Sequence, residues 1–274
     1  MIAAYIFLVG LIIGSFLNVC IHRLPQGESV VAPRSRCPKC QHQIAAYDNI
    51  PLLSYLILGG RCRYCKTPFS PRYFFVELIA GLLFLFAYHM NGLSVAFAKM
   101  SILSALLIVL VMTDWQDRIL PDKITFTGMA FGAMFSLLTP VGDGASAWLI
   151  RFGHGFYLPA SIISLCDGLL GALVGAGLLF GMGELYFRLR GVEGMGFGDV
   201  KMMAMVGLFL GPQLALLTIL FGSLAGSVLG LFFIALFRKS SSYEFPFGSF
   251  LGLAAFVSAA WGKQFLDWYL RFFN

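Results

Sequence analysis

Two long stretches almost free of charge decide what this chain can fold into. Residues 2–20 carry no charged side chain, and residues 165–183 carry only Asp167. As helices, each is long enough to cross a hydrocarbon core of about 30 Å. The composition agrees: 59% of the 274 residues are hydrophobic, 12% are charged, and the mean hydropathy is +0.84. A soluble domain carries about a quarter charged residues. Too little polar side chain is present to cover a water-facing globule, so the surplus apolar surface faces lipid. The first stretch is expected to be a retained span rather than a cleaved leader, since no positive n-region precedes it and no small-residue cleavage site follows.

Breaks at glycine, proline and charge clusters predict eight spans, at 2–21, 74–90, 97–113, 123–139, 165–187, 199–211, 213–237 and 247–270. With the N-terminus outside, fifteen Lys and Arg residues fall in cytoplasmic segments and four (Lys99, Arg151, Lys263, Arg271) outside. Basic residues collect on the cytoplasmic side of membrane proteins, which supports this orientation. The net charge of +6 is therefore read as topology, and no nucleic-acid partner is expected. No internal repeat is evident. Residues 140–164 form an expected external loop, whose aromatic residues, Trp148 among them, suit an interfacial helix.

Cys37-Pro38-Lys39-Cys40 and Cys62-Arg63-Tyr64-Cys65 form two C-x2-C pairs with 21 residues between them. Four thiolates so spaced suit tetrahedral Zn2+, and with no open position the metal would be structural. Two disulfides are the competing reading, disfavoured on the reducing side of a membrane. Of the remaining candidates, His22, His42, His89 and His154 read as surface or interfacial residues, and Cys20 and Cys166 as small apolar ones.

Ionisable groups at membrane depth are costly and flag function. Asp114 ends the third expected span, and Asp199 opens the sixth in Gly194-Met195-Gly196-Phe197-Gly198-Asp199. Both fall on the cytoplasmic side. Two neighbouring carboxylates can share one proton, so that one activates water while the other donates to a peptide carbonyl. The three glycines are expected to allow positive φ and close approach of an extended substrate. For Asp199 alone, a helix N-cap is the bland alternative. Asp117 beside Arg118 reads as a solvated ion pair, and Asp122 as a cap of the fourth span. Asp167 and Glu184 could pair with basic neighbours or support the site.

With these residues in view, the chain resembles the bacterial type IV prepilin peptidases, usually bifunctional leader peptidase/N-methyltransferases. The resemblance rests on Gly14-Ser15-Phe16-Leu17-Asn18, Arg34-Ser35-Arg36-Cys37-Pro38-Lys39-Cys40, Tyr47-Asp48-Asn49-Ile50-Pro51, Gly60-Arg61-Cys62, Ile119-Leu120-Pro121-Asp122 and Gly196-Phe197-Gly198-Asp199-Val200-Lys201. It implies removal of a short basic leader after a glycine from pilins and type II secretion pseudopilins. N-methylation of the new terminus with S-adenosylmethionine would follow. Carried over, Asp114 and Asp199 are the catalytic pair, and Cys37, Cys40, Cys62 and Cys65 are the zinc ligands. Asp48, Asn49, Arg61, Arg72 and Glu77 mark the region where methyltransferase residues are expected, although no glycine-rich dinucleotide fingerprint lies there. The segment 140–164 makes the interval between the aspartates longer than the family leads one to expect.

The expected fold class is an all-α polytopic membrane protein of about eight transmembrane helices, with a small cytoplasmic zinc-binding module between helices 1 and 2. Its expected parts are a first helix (1–21), the tetracysteine module with the methyltransferase part (22–73) and a transmembrane aspartyl peptidase domain (74–274). The expected location is the bacterial cytoplasmic (inner) membrane, with prepilins, pseudopilins and lipid as partners. Three alternatives stand beside this reading: a peptidase without methyltransferase activity, a broader GxGD intramembrane protease (which would lack the tetracysteine module), and a proton-coupled transporter or secretion-channel subunit.

Overall fold

The computed structural model describes residues 1–141, 159–192, 194–237 and 246–272. The regular elements are α1 (Ile2–Arg23), a 3-10 turn (Ala46–Asn49), α2 (Leu53–Ile57), α3 (Arg72–Asn91), α4 (Val95–Asp117), α5 (Asp122–Leu138), α6 (Ala160–Arg190), α7 (Phe197–Leu210), α8 (Pro212–Phe237) and α9 (Phe247–Arg271). Among the described residues, β pairing is confined to two isolated bridges. Each of the eight segments expected to span a membrane is helical. Five are long and apolar enough to cross one: α1, α3, α4, α6 and the Pro212–Phe232 part of α8. The chain is thus a multi-pass membrane protein.

The other three long helices fall short for separate reasons. α5 has 17 residues and opens on Asp122 and Lys123. α9 carries Lys263, Asp267 and Arg271 toward its end. α7 has only 14 residues, about 21 Å of helix against about 30 Å of hydrocarbon. It is nonetheless apolar nearly all round, as a helix enclosed by protein should be. Met202, Met203, Met205, Val206 and Phe209 are wholly buried, and α5, α6, α8 and α9 all contact it. A helix wrapped by other helices need not match the lipid thickness.

Two compact units divide the chain, Met1–Val109 and Leu110–Asn274. In the first, α1 packs on α3. A Cβ on Gly10 would stand 2.8 Å from Gly81 Cα, and one on Gly14 2.7 Å from Glu77 Cα. α3 is also fastened to the cysteine module, where Glu77 accepts the Leu52 N–H.

In the second unit α6 and α7 touch backbone to backbone. A Cβ on Gly207 would lie 2.2 Å from the Gly171 carbonyl, and one on Gly171 2.5 Å from the Gly207 oxygen. Such small-residue contacts let membrane helices approach closely enough for dispersion to hold them. The Ser164 hydroxyl accepts the Val141 N–H at 2.9 Å and donates to the Thr139 carbonyl at 3.0 Å. It thereby ties the start of α6 to the end of α5. The interfacial helix expected around Trp148, and the residues Arg151, His154, Arg238 and Lys239, lie outside the described residues.

Gly207→Ala is expected to lose about 2–3 kcal/mol by overpacking, read as a lower unfolding temperature in detergent. Gly177→Ala, on α6 where a Cβ meets nothing within 4 Å, should be neutral or slightly stabilising. Equal melting of the two variants would contradict the close crossing.

Candidate functional site

Asp114 and Asp199 belong to the second unit and are buried, at 6% and 8% exposure. Asp114 occupies the last turn of α4. That helix ends at Asp117, and the chain leaves it through Arg118, which takes a left-handed φ of 54°. Asp199 lies in the first turn of α7. The N-cap position there belongs to Gly196, and no side chain caps the helix. The carboxylate of Asp199 is therefore not spent on capping.

Two contacts fasten the sequence motifs that carry the aspartates. Leu120 packs on Gly198, where an added Cβ would lie 3.0 Å from the leucine Cβ. Lys201 Nζ donates to Asp122 Oδ1 at 2.6 Å. The expectation that Asp122 caps α5 is corrected here: Pro121 stands at the N-cap position, and the carboxylate reaches across to α7. An exposed pair of this kind contributes about 0–1 kcal/mol, so it sets register more than stability. Glu184, left open in the sequence, pairs with Arg188 at 2.7 Å one turn on.

The last helix closes the site. A Cβ on Gly248 would stand 2.8 Å from Asp199 Oδ1 and 3.1 Å from Asp114 Oδ2. The two carboxylates thus converge on a single point, kept open because residue 248 has no side chain. Ser249 follows, and its N–H donates to Asp114 Oδ2 at 2.5 Å. Its hydroxyl lies 2.8 Å from the same oxygen and 3.1 Å from the Val111 carbonyl. Free N–H groups of a first helical turn favour negative charge, and Asp114 meets that turn of α9. Sequence reading missed Gly248 and Ser249. The available signal was Pro246-Phe247-Gly248-Ser249, a proline-led helix start with an unusual glycine in its first turn.

The glycine loop before Asp199 differs from expectation. Gly194, Gly196 and Gly198 have no positive φ; their value is space. A Cβ on Gly194 would strike the Tyr186 ring at 2.4 Å, whereas at Gly196 the nearest atom would be Asp199 Oδ2 at 3.6 Å.

In the first unit the four cysteine sulfurs lie within 4.8 Å of one another, and all are free thiols. Cys37 and Cys65 sulfurs are 3.6 Å apart, and those of Cys40 and Cys62 3.9 Å. Tetrahedral Zn–S bonds of about 2.3 Å place sulfurs about 3.8 Å apart, so the cluster can hold a metal ion. Each pair sits in the same local turn. The Cys37 N–H donates to the His42 carbonyl and the Cys62 N–H to the Thr67 carbonyl, both at 2.9 Å. Gln41 and Lys66 share a φ of 57°, and the bridges Arg36–Gln43 and Arg61–Pro68 close the two turns. A short repeat therefore exists where the sequence showed none. The Thr67 hydroxyl beside Cys65 draws that thiol down to about 6. His42, exposed as expected, stacks on Tyr64 of the other turn at 3.6 Å.

Asp48 binds Arg63 through both carboxylate oxygens, at 2.9 Å and 2.5 Å. This hydrogen bonding holds its carboxyl below the usual range and ties the 3-10 turn to the second cysteine turn. Asp48 thus carries a structural load that the sequence did not disclose. Glu77 accepts the Leu52 N–H at 2.8 Å. A cavity of about 470 Å³ opens beside these groups, lined in part by Asn18, Asp48, Asn49, Arg61 and Glu77. Arg72, the fifth residue expected there, does not line it; its guanidinium lies over the Tyr73 ring at 5.0 Å. Asn18 is 3% exposed. Its amide donates to the Tyr73 carbonyl at 3.0 Å, while its Oδ1 has no partner. A polar side chain inside an apolar span was the signal for it.

Gly248→Ala is expected to cut any reaction needing both carboxylates by at least about 100-fold, since a misplacement of about 1 Å at reacting groups can cost that much. Prepilin cleavage at unchanged thermal stability is the measurement, and wild-type turnover would disprove the convergence.

The model of the bacterial peptidase A24 N-terminal domain matches residues 8–91, and that of the type IV leader peptidase family matches residues 101–231. A prepilin leader peptidase/N-methyltransferase of Stutzerimonas stutzeri is 37% identical over 96% of this chain and 92% of its own length. Proteins of the same name from Aeromonas hydrophila and Pseudomonas aeruginosa are each 35% identical. The alignments cover 98% and 97% of this chain, and 93% and 92% of those proteins. No solved structure matches. With two buried aspartates, a four-cysteine cluster and relatives aligned along nearly its whole length, the chain belongs to the prepilin leader peptidase/N-methyltransferase family.

Proposed function

We propose that this chain removes the leader peptide from type IV prepilins and type II secretion pseudopilins, and then methylates the new N-terminus. Peptidase and methyltransferase activities follow from its family. The observation that carries the peptidase assignment is the meeting of Asp114 and Asp199 at Gly248. Two carboxylates that converge on one point can share one proton, which gives the pair a base for water and an acid for the peptide carbonyl. An extended peptide has room at Gly196, beside Asp199. The family resemblance supplies the cleavage position, after a glycine.

The cysteine cluster is assigned to zinc. Four thiolates complete a tetrahedron and leave no open site, so the ion orders residues 36–69 and does no chemistry. S-adenosylmethionine, when bound, supplies an electrophilic methyl group. The cavity of about 470 Å³ is in the size range of small-molecule sites. The unpartnered Asn18 Oδ1 offers an acceptor for an ammonium or hydroxyl group of that ligand. Glu77 and Asn49 line the same space, whereas Asp48 is committed to Arg63.

The fifteen-to-four distribution of basic residues supports a cytoplasmic dyad and cysteine module, eight spans, and residence in the inner membrane. A transporter reading explains neither the cysteine cluster nor the family match.

Sealed inverted inner-membrane vesicles given prepilin and S-adenosylmethionine should yield a product lacking the leader and bearing one added methyl group, by intact mass. Vesicles of Asp114→Asn or Asp199→Asn protein should give neither change, with a loss of at least about 1,000-fold. Cleavage by right-side-out vesicles alone would reverse the topology. In the first unit, Cys37→Ser with Cys40→Ser should abolish bound zinc by metal analysis. Asn18→Leu should keep the zinc and weaken S-adenosylmethionine binding about tenfold, the loss of one hydrogen bond to a charged group; unchanged affinity would remove Asn18 from the site.

A further inference from the structure

The two aspartates are not equivalent, and the difference comes from α9. Asp114 Oδ2 faces the Ser249 N–H at 2.5 Å and the Ser249 hydroxyl at 2.8 Å, whose single proton chooses between this oxygen and the Val111 carbonyl at 3.1 Å and favours the nearer, charged acceptor. Asp199 has no protein donor among the described residues, and its polar neighbour is Asp114 itself. Hydrogen bonds donated to a carboxylate favour its ionised form. A single shared proton therefore resides on the carboxylate without donors.

We propose that Ser249 is the positioning residue of the dyad, holding Asp114 as the ionised carboxylate that takes a proton from water and leaving Asp199 to protonate the scissile carbonyl. This rests on the peptidase reading above. Ser249 lies beyond residues 101–231, the part matched by the peptidase family model. In the first step the water oxygen bonds to the carbonyl carbon and its proton passes to Asp114. The Asp199 proton moves to the carbonyl oxygen, giving a neutral gem-diol. In the second step Asp114 returns its proton to the amide nitrogen and the C–N bond breaks. Asp199 recovers a proton from one hydroxyl, and the carboxylic acid and free amine leave. Every proton is accounted for, and both aspartates end as they began.

Charged and titratable groups on the surrounding elements are few. α4 adds Asp117 and Arg118 after Asp114, and α5 begins with Asp122 and Lys123. α7 carries Lys201, already bound to Asp122. α6 carries Cys166, Asp167, Tyr186, the Glu184–Arg188 pair and Arg190, α8 has no charged residue, and the first in α9 is Lys263. Arg118 acts on Asp114 through its charge alone, so the Ser249 hydroxyl is the hydrogen-bonding influence on Asp114 Oδ2 that one substitution can remove.

The test compares full-length wild-type protein with Ser249→Ala and Ser249→Thr in detergent, recording prepilin cleavage from pH 4 to 9. Methylation of a pre-cleaved pilin by the same samples reports the intact first unit. For Ser249→Ala, kcat should fall about tenfold with KM within about twofold, and the acidic limb of kcat/KM should move up by about 0.5–1 pH unit. Ionisation of Asp114 then needs a higher pH, because one donor to the charged form is gone. Ser249→Thr keeps the hydroxyl and should restore both kcat and the limb. An alanine variant with the wild-type profile overturns the proposal, as does a loss that threonine does not rescue and that tracks thermal stability. Absence of cleavage by the wild type would instead overturn the peptidase reading.

Discussion

Bringing two carboxylates together at the end of a membrane helix is the constraint on which the second unit depends. Like charges in a poorly hydrated place repel, and neither pays its way without donors or a shared proton. Three devices resolve this. Leu120 on Gly198 and Lys201 on Asp122 hold α4, α5 and α7 in register. Gly248 withholds a side chain at the point where the carboxylates meet. Ser249 then donates to one of the two acids, Asp114.

The short helix α7 is the consequence of that arrangement. Asp199 must sit in a first helical turn close to Asp114, and the helix behind it must be rigid. Enclosure by α5, α6, α8 and α9 supplies the rigidity. The bare contact of Gly171 with Gly207 lets α6 come close enough to provide it. The position of Asp199 thus rests on packing residues along α6 and α7 that do not adjoin its carboxylate.

The first unit solves a different problem, ordering about fifty polar residues with little apolar core. Two like turns present four sulfurs to one point, while Asp48–Arg63 and Glu77–Leu52 bind the chain between them to the cysteine turns and to α3. Substrate recognition and methyl transfer would both profit from a scaffold fixed by a metal and ion pairs, since neither relies on hydrophobic burial there.

Much of this was legible in the chain. Uncharged stretches longer than a bilayer, the C-x2-C pairs and the isolated acids Asp114 and Asp199 are local properties, and physics attaches a meaning to each without a partner. The segments that hydropathy singled out are accordingly helical, and five of them are long and apolar enough to cross a membrane. Other assignments needed a neighbour. Asp122 looks like a cap until Lys201 arrives from a distant segment, Asp48 looks free until Arg63 claims it, and Asn18 looks like a stray amide until a cavity opens beside it. Gly248 and Ser249 carry only the signal of a proline-led helix start, which by itself points to no chemistry. Their significance comes from lying against Asp114, 135 residues before Ser249, and, for Gly248, against Asp199 as well. The sequence by itself determined the solvent the protein lives in, its helical segments and its candidate site residues, because these follow from local composition. Only the tertiary structure decided which acid is held by donors, because donor geometry is a relation between helices that no single segment contains.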